Sequence, residues 1–166
     1  MTTPTRWPSV ELENSRRKLL ALRELVNGLG VDGAGADVEL ARFLVVRSCG
    51  HVEFSFDESI ACFVSAHSRL NVASYVRGGL FRGRNPKSGT MLEVLRRFDS
   101  EWAADFENFI GQDLGLYQRE LDFLVDRRNK IAHGQSEGVT RRKALDLCDY
   151  AVDIADWLVD CFDPKK

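Results

Sequence analysis

Apolar residues recur at intervals of three and four along almost the whole chain, the period of a helix with one buried face. From about Ser9 to Leu29, the stripe is Leu19, Leu22, Val26 and Leu29, and Arg16, Arg17, Lys18 and Arg23 lie mostly off it. Gly28, Gly30, Gly33 and Gly35 then break the pattern into a connector. Asp37 is suited to cap a long second helix from about Val38 to Leu70, buried through Leu40, Phe43, Leu44, Phe54, Ile60, Phe63, Val64 and Leu70. Gly50 inside it costs about 1 kcal/mol against alanine, which suggests a bend or a close helix contact there. Phe54-Ser55-Phe56 alternates like a strand but is too short to outweigh the helical period around it.

Residues Arg69 to Leu92 break the rhythm. Arg69, Arg77, Arg82, Arg84 and Lys87 occur there with no acidic residue, and Tyr75 and Phe81 are interleaved. Gly78, Gly79, Gly83, Asn85, Pro86 and Gly89 predict a loop for the latter half. Thr90 with Glu93 three later reads as a capping box opening a helix through Leu92, Leu95 and Phe98. A short element follows on Trp102, Phe106, Phe109 and Ile110, then a helix from about Leu114 to His133. Its stripe is Leu121, Leu124, Val125, Arg128 and Ala132. Thr140 caps the last helix, with Val139 stapling onto Ala144, and the stripe Leu145, Cys148, Val152, Ala155, Val159 and Phe162 faces inward. Asp146, Asp149, Asp153, Asp156 and Asp160 form an acidic ladder on another face, expected to be solvated and to repel phosphates. The expectation is an all-α helical bundle without strands.

Composition narrows the picture only slightly. A chain of 166 residues, 44% apolar and 29% charged, can bury an ordinary core in one domain. Residues 1–36 are an N-terminal helix and Gly-rich connector belonging to the domain formed by residues 37–166. A net charge of −2 gives no global attraction to nucleic acid, so any such surface must be local. Cys49, Cys62, Cys148 and Cys161 are solitary, with no Cys-x-x-Cys pair and no histidine at ligand spacing. They read as buried free thiols, and neither a metal site nor a cofactor is expected. His51 and His67 are placed in or beside the core. Met1 to Val10 lacks the apolar core of a signal peptide, and charge-free stretches such as Ser59 to Ser68 reach only about half a membrane span. A soluble, cytoplasmic protein is the expectation.

The chemistry concentrates in Arg128-Asn129-Lys130-Ile131-Ala132-His133-Gly134. Arginine holds a phosphate in a planar fork, histidine moves protons near neutral pH, and Gly134 is a natural helix stop. This string resembles the signature of the HEPN superfamily, an Arg-Asn pair, three residues and a His. It is similar to the bacterial members of RiboL-PSP type, over residues of about 37 to 162. The resemblance implies a HEPN-like antiparallel helical bundle with additional short helices. It also implies a metal-independent endoribonuclease that leaves a cyclic phosphate, in a toxin–antitoxin, abortive-infection or anti-phage setting with an antitoxin or other regulatory partner.

In that scheme Arg128 stabilises the phosphorane, His133 serves as acid or base, and Asn129 orients the ring or the substrate. Five residues at 100° put Arg128 and His133 about 140° apart around an ideal axis, so one helix makes a sparse site. Family members resolve this by dimerising, which implies a two-fold homodimer with two Arg–His sets in one cleft. Arg127 and Lys130 would rim that cleft. Arg141, Arg142 and the Arg69–Leu92 stretch are further candidates for an RNA track, and Glu53 on the second helix is the candidate acid to pair with Arg128. The competing expectation is a non-catalytic HEPN dimer that binds RNA, a nucleotide or a protein, with Arg128 and Asn129 in a structural role.

Overall fold

The computed structural model describes residues 6–30, 35–79, 84–135 and 138–166. Among the described residues there are seven helices: α1 (Val10–Asn27), α2 (Ala36–His67), α3 (Leu70–Gly79), α4 (Ser88–Phe98), α5 (Ser100–Ile110), α6 (Gln112–Ala132) and α7 (Arg141–Cys161). Among the described residues there is no strand, and no helix is long and apolar enough to cross a membrane. The all-α expectation holds.

The most extensive contact joins α2 to α7. These two run in the same direction, with Ser48 beside Cys148 and a later cluster of His51, Ser55, Ala155 and Asp156. Small residues make the approach possible: Ser48, Ser55 and Ser59 on α2 and Ala144, Ala151 and Ala155 on α7 are all fully buried. Phe56, Leu44, Ile60, Leu147 and Leu158 fill the layers between. α1 lies antiparallel to both, burying Leu12, Leu19 and Val26 at heptad spacing. Ser9 caps it, accepting from the Leu12 N–H at 3.2 Å. α6 lies antiparallel to α7 along its other flank, where Tyr117 Oη donates to Asp153 at 3.1 Å. Thr140 caps α7 through the Lys143 N–H, with Val139 and Ala144 both buried behind it.

Several expectations need correcting. Asp37 is not the cap of α2: Gly35 holds that position with φ +87°, and the Asp37 carboxylate accepts from the Val38 N–H within the first turn. α2 ends at His67, so Leu70 opens α3 instead and is 83% exposed; Phe43 also faces out. Gly50 sits in unbroken helix, and a Cβ built there would meet nothing within 4 Å, so no close helix contact explains it. Gly78 and Gly79 are helical in α3, whereas Phe81, Arg82 and Gly83 lie outside the described residues, as does Gly33 of the connector.

The capping box fails for a tertiary reason. α4 begins at Ser88, and Asp122 of α6 accepts from both its N–H and its Oγ at 2.8 Å. Glu93 instead pairs with Arg84 and Arg97. The acidic ladder is largely exposed, as expected, but Asp149 and Asp156 also grip Arg23 and Arg16 of α1. His51 is buried as expected, but His67 is exposed and stacks on Phe63, ring centroids 4.3 Å apart.

Candidate functional site

Leu121, Leu124 and Val125 bury α6 in the core, and Arg128 comes next on the same stripe. Its guanidinium is therefore carried onto α2 instead of out into water. Nη2 lies 3.3 Å from Glu53 Oε2, and Nη1 donates to Asn129 Oδ1 at 3.1 Å. The pair is half-buried: the Arg128 side chain retains 26% of its exposure and Glu53 34%.

Glu53 stands in the middle of an α2 stripe at four-residue spacing, Cys49, Glu53 and Asp57. Burial raises the Cys49 thiol, opposed by the positive charge of Arg128. Asp57 is the more unusual group. Burial, reinforced by the negative charges of Glu53 and Glu58, pushes its carboxyl up to about 7. Its Oδ1 is buried and has no hydrogen-bond partner among the described residues. Asp57 did not stand out in the sequence, and Cys49 did so only as a buried free thiol. The signal available was spacing alone, one helical turn on either side of Glu53.

The far end of α6 is closed by a Schellman motif. Gln135 N–H donates to Lys130 O at 2.9 Å, Gly134 N–H to Ile131 O at 3.0 Å, and Gly134 takes φ +64°. A side chain with a Cβ is disfavoured in that left-handed conformation, so glycine sets the stop. His133 is the last residue before it, exposed, and its ring makes no hydrogen bond or ion pair among the described residues. Arg128 turns in and His133 turns out, while Asn129 lies about 40° from His133 on the same face.

The other sequence candidates are scattered. Arg127 stacks over the Phe123 ring, 4.3 Å from its centroid, and Lys143 reaches the same ring at 5.1 Å while pairing with Glu120 at 2.6 Å. Lys130 is half-buried, with its carbonyl used in the helix stop. Arg141 donates to the Leu29 carbonyl at the end of α1, and Arg142 is exposed, 3.5 Å from Asp146. In the basic stretch Arg77, Arg84 and Lys87 pair with Glu58, Glu93 and Asp126. Thus Arg128, Asn129 and Glu53 are brought together, His133 is exposed at the end of the same helix, and Arg141 and Arg142 are occupied elsewhere. Among the described residues no three His, Cys, Asp or Glu side chains form a metal-binding group.

No curated protein and no solved structure matches the chain. A family model described as RiboL-PSP-HEPN matches residues 11–163, from the first turn of α1 to just beyond α7. Since that span takes in every helix and the whole Arg128–His133 string, the chain belongs to the RiboL-PSP-HEPN family.

Proposed function

We propose that this protein is a metal-independent endoribonuclease whose site is completed by a second copy of the chain. The observation that carries the reading is a half-buried Arg128, held at one side by Glu53, five residues before an exposed His133 at the helix stop. RNA supplies its own nucleophile. The 2′-hydroxyl oxygen attacks the adjacent phosphorus, its proton passing to a neutral imidazole, and the P–O5′ bond breaks as a protonated imidazole donates to the leaving oxygen. The products are a 2′,3′-cyclic phosphate and a free 5′-hydroxyl. Base and acid must act on opposite sides of the phosphorus, and each chain carries His133 once, so two copies supply both roles. Arg128 stabilises the charge that gathers on the phosphorane oxygens, and Asn129 positions it. Arg127 and Lys130 flank the cleft and bind neighbouring phosphates. Such an activity needs restraint inside its own cell, which suits a toxin–antitoxin or anti-phage system in the cytoplasm with an antitoxin or similar partner.

The Arg128–Glu53 pair itself favours a second reading, a non-catalytic dimer in which Arg128 ties α6 to α2 and the tip binds RNA, a nucleotide or a protein. Purified protein incubated with mixed RNA and chelator separates the two. Wild type cleaves to cyclic-phosphate ends, while His133→Ala and Arg128→Ala lose cleavage but keep helicity by circular dichroism and dimerisation by sedimentation. Equal cleavage by all three proteins, or none by any, overturns the nuclease reading.

A further inference from the structure

A second site opens between α1 and α2. An open groove of about 490 Å³ lies there, lined by Ser15 and Lys18 of α1 and by Arg47, Gly50, His51 and Phe54 of α2. On an ideal helix these α2 positions centre about 110° around the axis from the Cys49–Glu53–Asp57 stripe, so the groove is separate from the Arg128 face.

Three features mark it as built to hold something. Gly50 comes first. A mid-helix glycine is costly, and here neither a left-handed backbone nor a neighbour within 4 Å requires it. Its one consequence is that no side chain rises from the groove floor. Second, Lys18 and Arg47 face the same space, and among the described residues neither side chain has an ion pair or hydrogen bond. The arginines of α1, by contrast, are all engaged: Arg16 by Asp156, Arg17 by Asn14 and Arg23 by Asp149. Third, His51 is only 4% exposed, shares a 2.8 Å hydrogen bond with Ser15 Oγ, and leaves Nε2 without a partner among the described residues. Burial holds the imidazole neutral, down to about 4, and covers Nε2 as well, so the hydrogen-bonding group at the groove wall is the half-buried Ser15 hydroxyl, held by His51 Nδ1.

We infer that the groove binds a nucleoside phosphate: the phosphate on Lys18 and Arg47, the base against the half-buried Phe54 ring, and the sugar or base polar groups on the Ser15 hydroxyl. The volume suits one such unit. Arginine and lysine recognise the phosphate by charge-assisted hydrogen bonds, and an aromatic face takes any base by stacking. Glu11 at the rim disfavours a second phosphate alongside. The unit is either a free mononucleotide or one unpaired residue of an RNA chain. The inference does not rest on the nuclease proposal, since it shares no residue with the Arg128–His133 tip.

The test uses the full chain, isotope-labelled, titrated with adenosine monophosphate, with adenosine, with inorganic phosphate and with a short single-stranded RNA. Adenosine monophosphate should shift amides of residues 14–18 and 47–54 saturably, with adenosine and phosphate each weaker. Gly50→Leu, which fills the floor while favouring the helix, should abolish these shifts. Lys18→Ala with Arg47→Ala should weaken binding by about tenfold or more, and His133→Ala should leave it unchanged. Competition by RNA at lower concentration than the mononucleotide identifies an RNA residue as the source; mononucleotide binding alone identifies the free nucleotide. The inference is overturned by the absence of saturable shifts at those amides with either probe, or by binding that survives Gly50→Leu.

Discussion

Along the α1–α7 seam, Arg16 and Arg23 each hold an aspartate of α7 through two bonds of 2.5–2.8 Å. Along the α2–α6 seam, Arg128 reaches Glu53 through a single contact of 3.3 Å, and Asp57 one turn away leaves an oxygen unpartnered. Both seams set an arginine against carboxylates, but they spend the charge differently. Two-point pairs on the first seam engage the Nε–Nη2 edge of each guanidinium and fix helix register. The looser pair on the second leaves guanidinium donors beside an acid pushed up to about 7, a lower local negative charge that a phosphate ligand can exploit. Unspent charge beside a buried scaffold, more than charge itself, separates a candidate site from a structural seam.

That contrast can be broken in four ways. The largest effect is expected at Arg128. Its replacement by alanine should cut RNA cleavage by about a hundredfold or more while moving stability little, whereas Arg23→Ala should leave cleavage intact. Loss of fold in Arg128→Ala, seen in a urea titration, would make its pair as structural as those of α1.

The pH response comes next, and its two sources oppose each other. Asp57 rises from 3.8 to about 7 on folding, so the stability it permits is greatest below about pH 4 and is lost as pH climbs through 7. His51 falls from 6.5 to about 4, so its contribution is complete above pH 6.5 and is lost as pH drops through 4. Between those values Asp57→Asn should leave stability rising with pH, and His51→Gln should leave it falling. Identical slopes for the two variants in urea midpoints would remove the assigned burial of one or both groups.

Asp122 tests whether α6 holds α4 by its carboxylate. Asp122→Ala strands the Ser88 N–H and Oγ, and should cost about 2 kcal/mol in chemical denaturation. A loss within experimental error would mean water replaces it. Smallest is the outer seam: because the Arg23–Asp149 and Arg16–Asp156 pairs are partly open to solvent, a double-mutant cycle on either should return up to about 1 kcal/mol of coupling. A coupling several times larger would make α1 a more integral part of the bundle than its exposed charges imply.

How much of this was legible beforehand differs by element. α1 and α7 follow their stripes closely because an amphipathic period and a Ser or Thr cap are local instructions, whereas α6 does so only beyond residues 113–115, where φ of 50–76° breaks the helix that the sequence placed from about Leu114. The Arg128–Asn129 turn and its glycine were equally plain, and Glu53 was found through family spacing. Asp57 was missed because its carboxyl becomes unusual only once α2 is packed and Glu53 and Glu58 lie beside it. Gly50 was misjudged for a similar reason: a sequence reports a missing side chain but not what would have stood in the space.

By itself the sequence determined the helical class, the Thr140 cap and the Gly134 stop, and the placing of a cation, an amide and an imidazole at one helix end. Tertiary structure decided which charges are spent. It joined the acidic ladder to α1, lent Asp122 to α4, drew Arg128 inward onto Glu53 and left Lys18 and Arg47 open across a groove. Periodicity and capping act between residues a few positions apart, whereas desolvation and ion pairing depend on neighbours that only folding brings within reach.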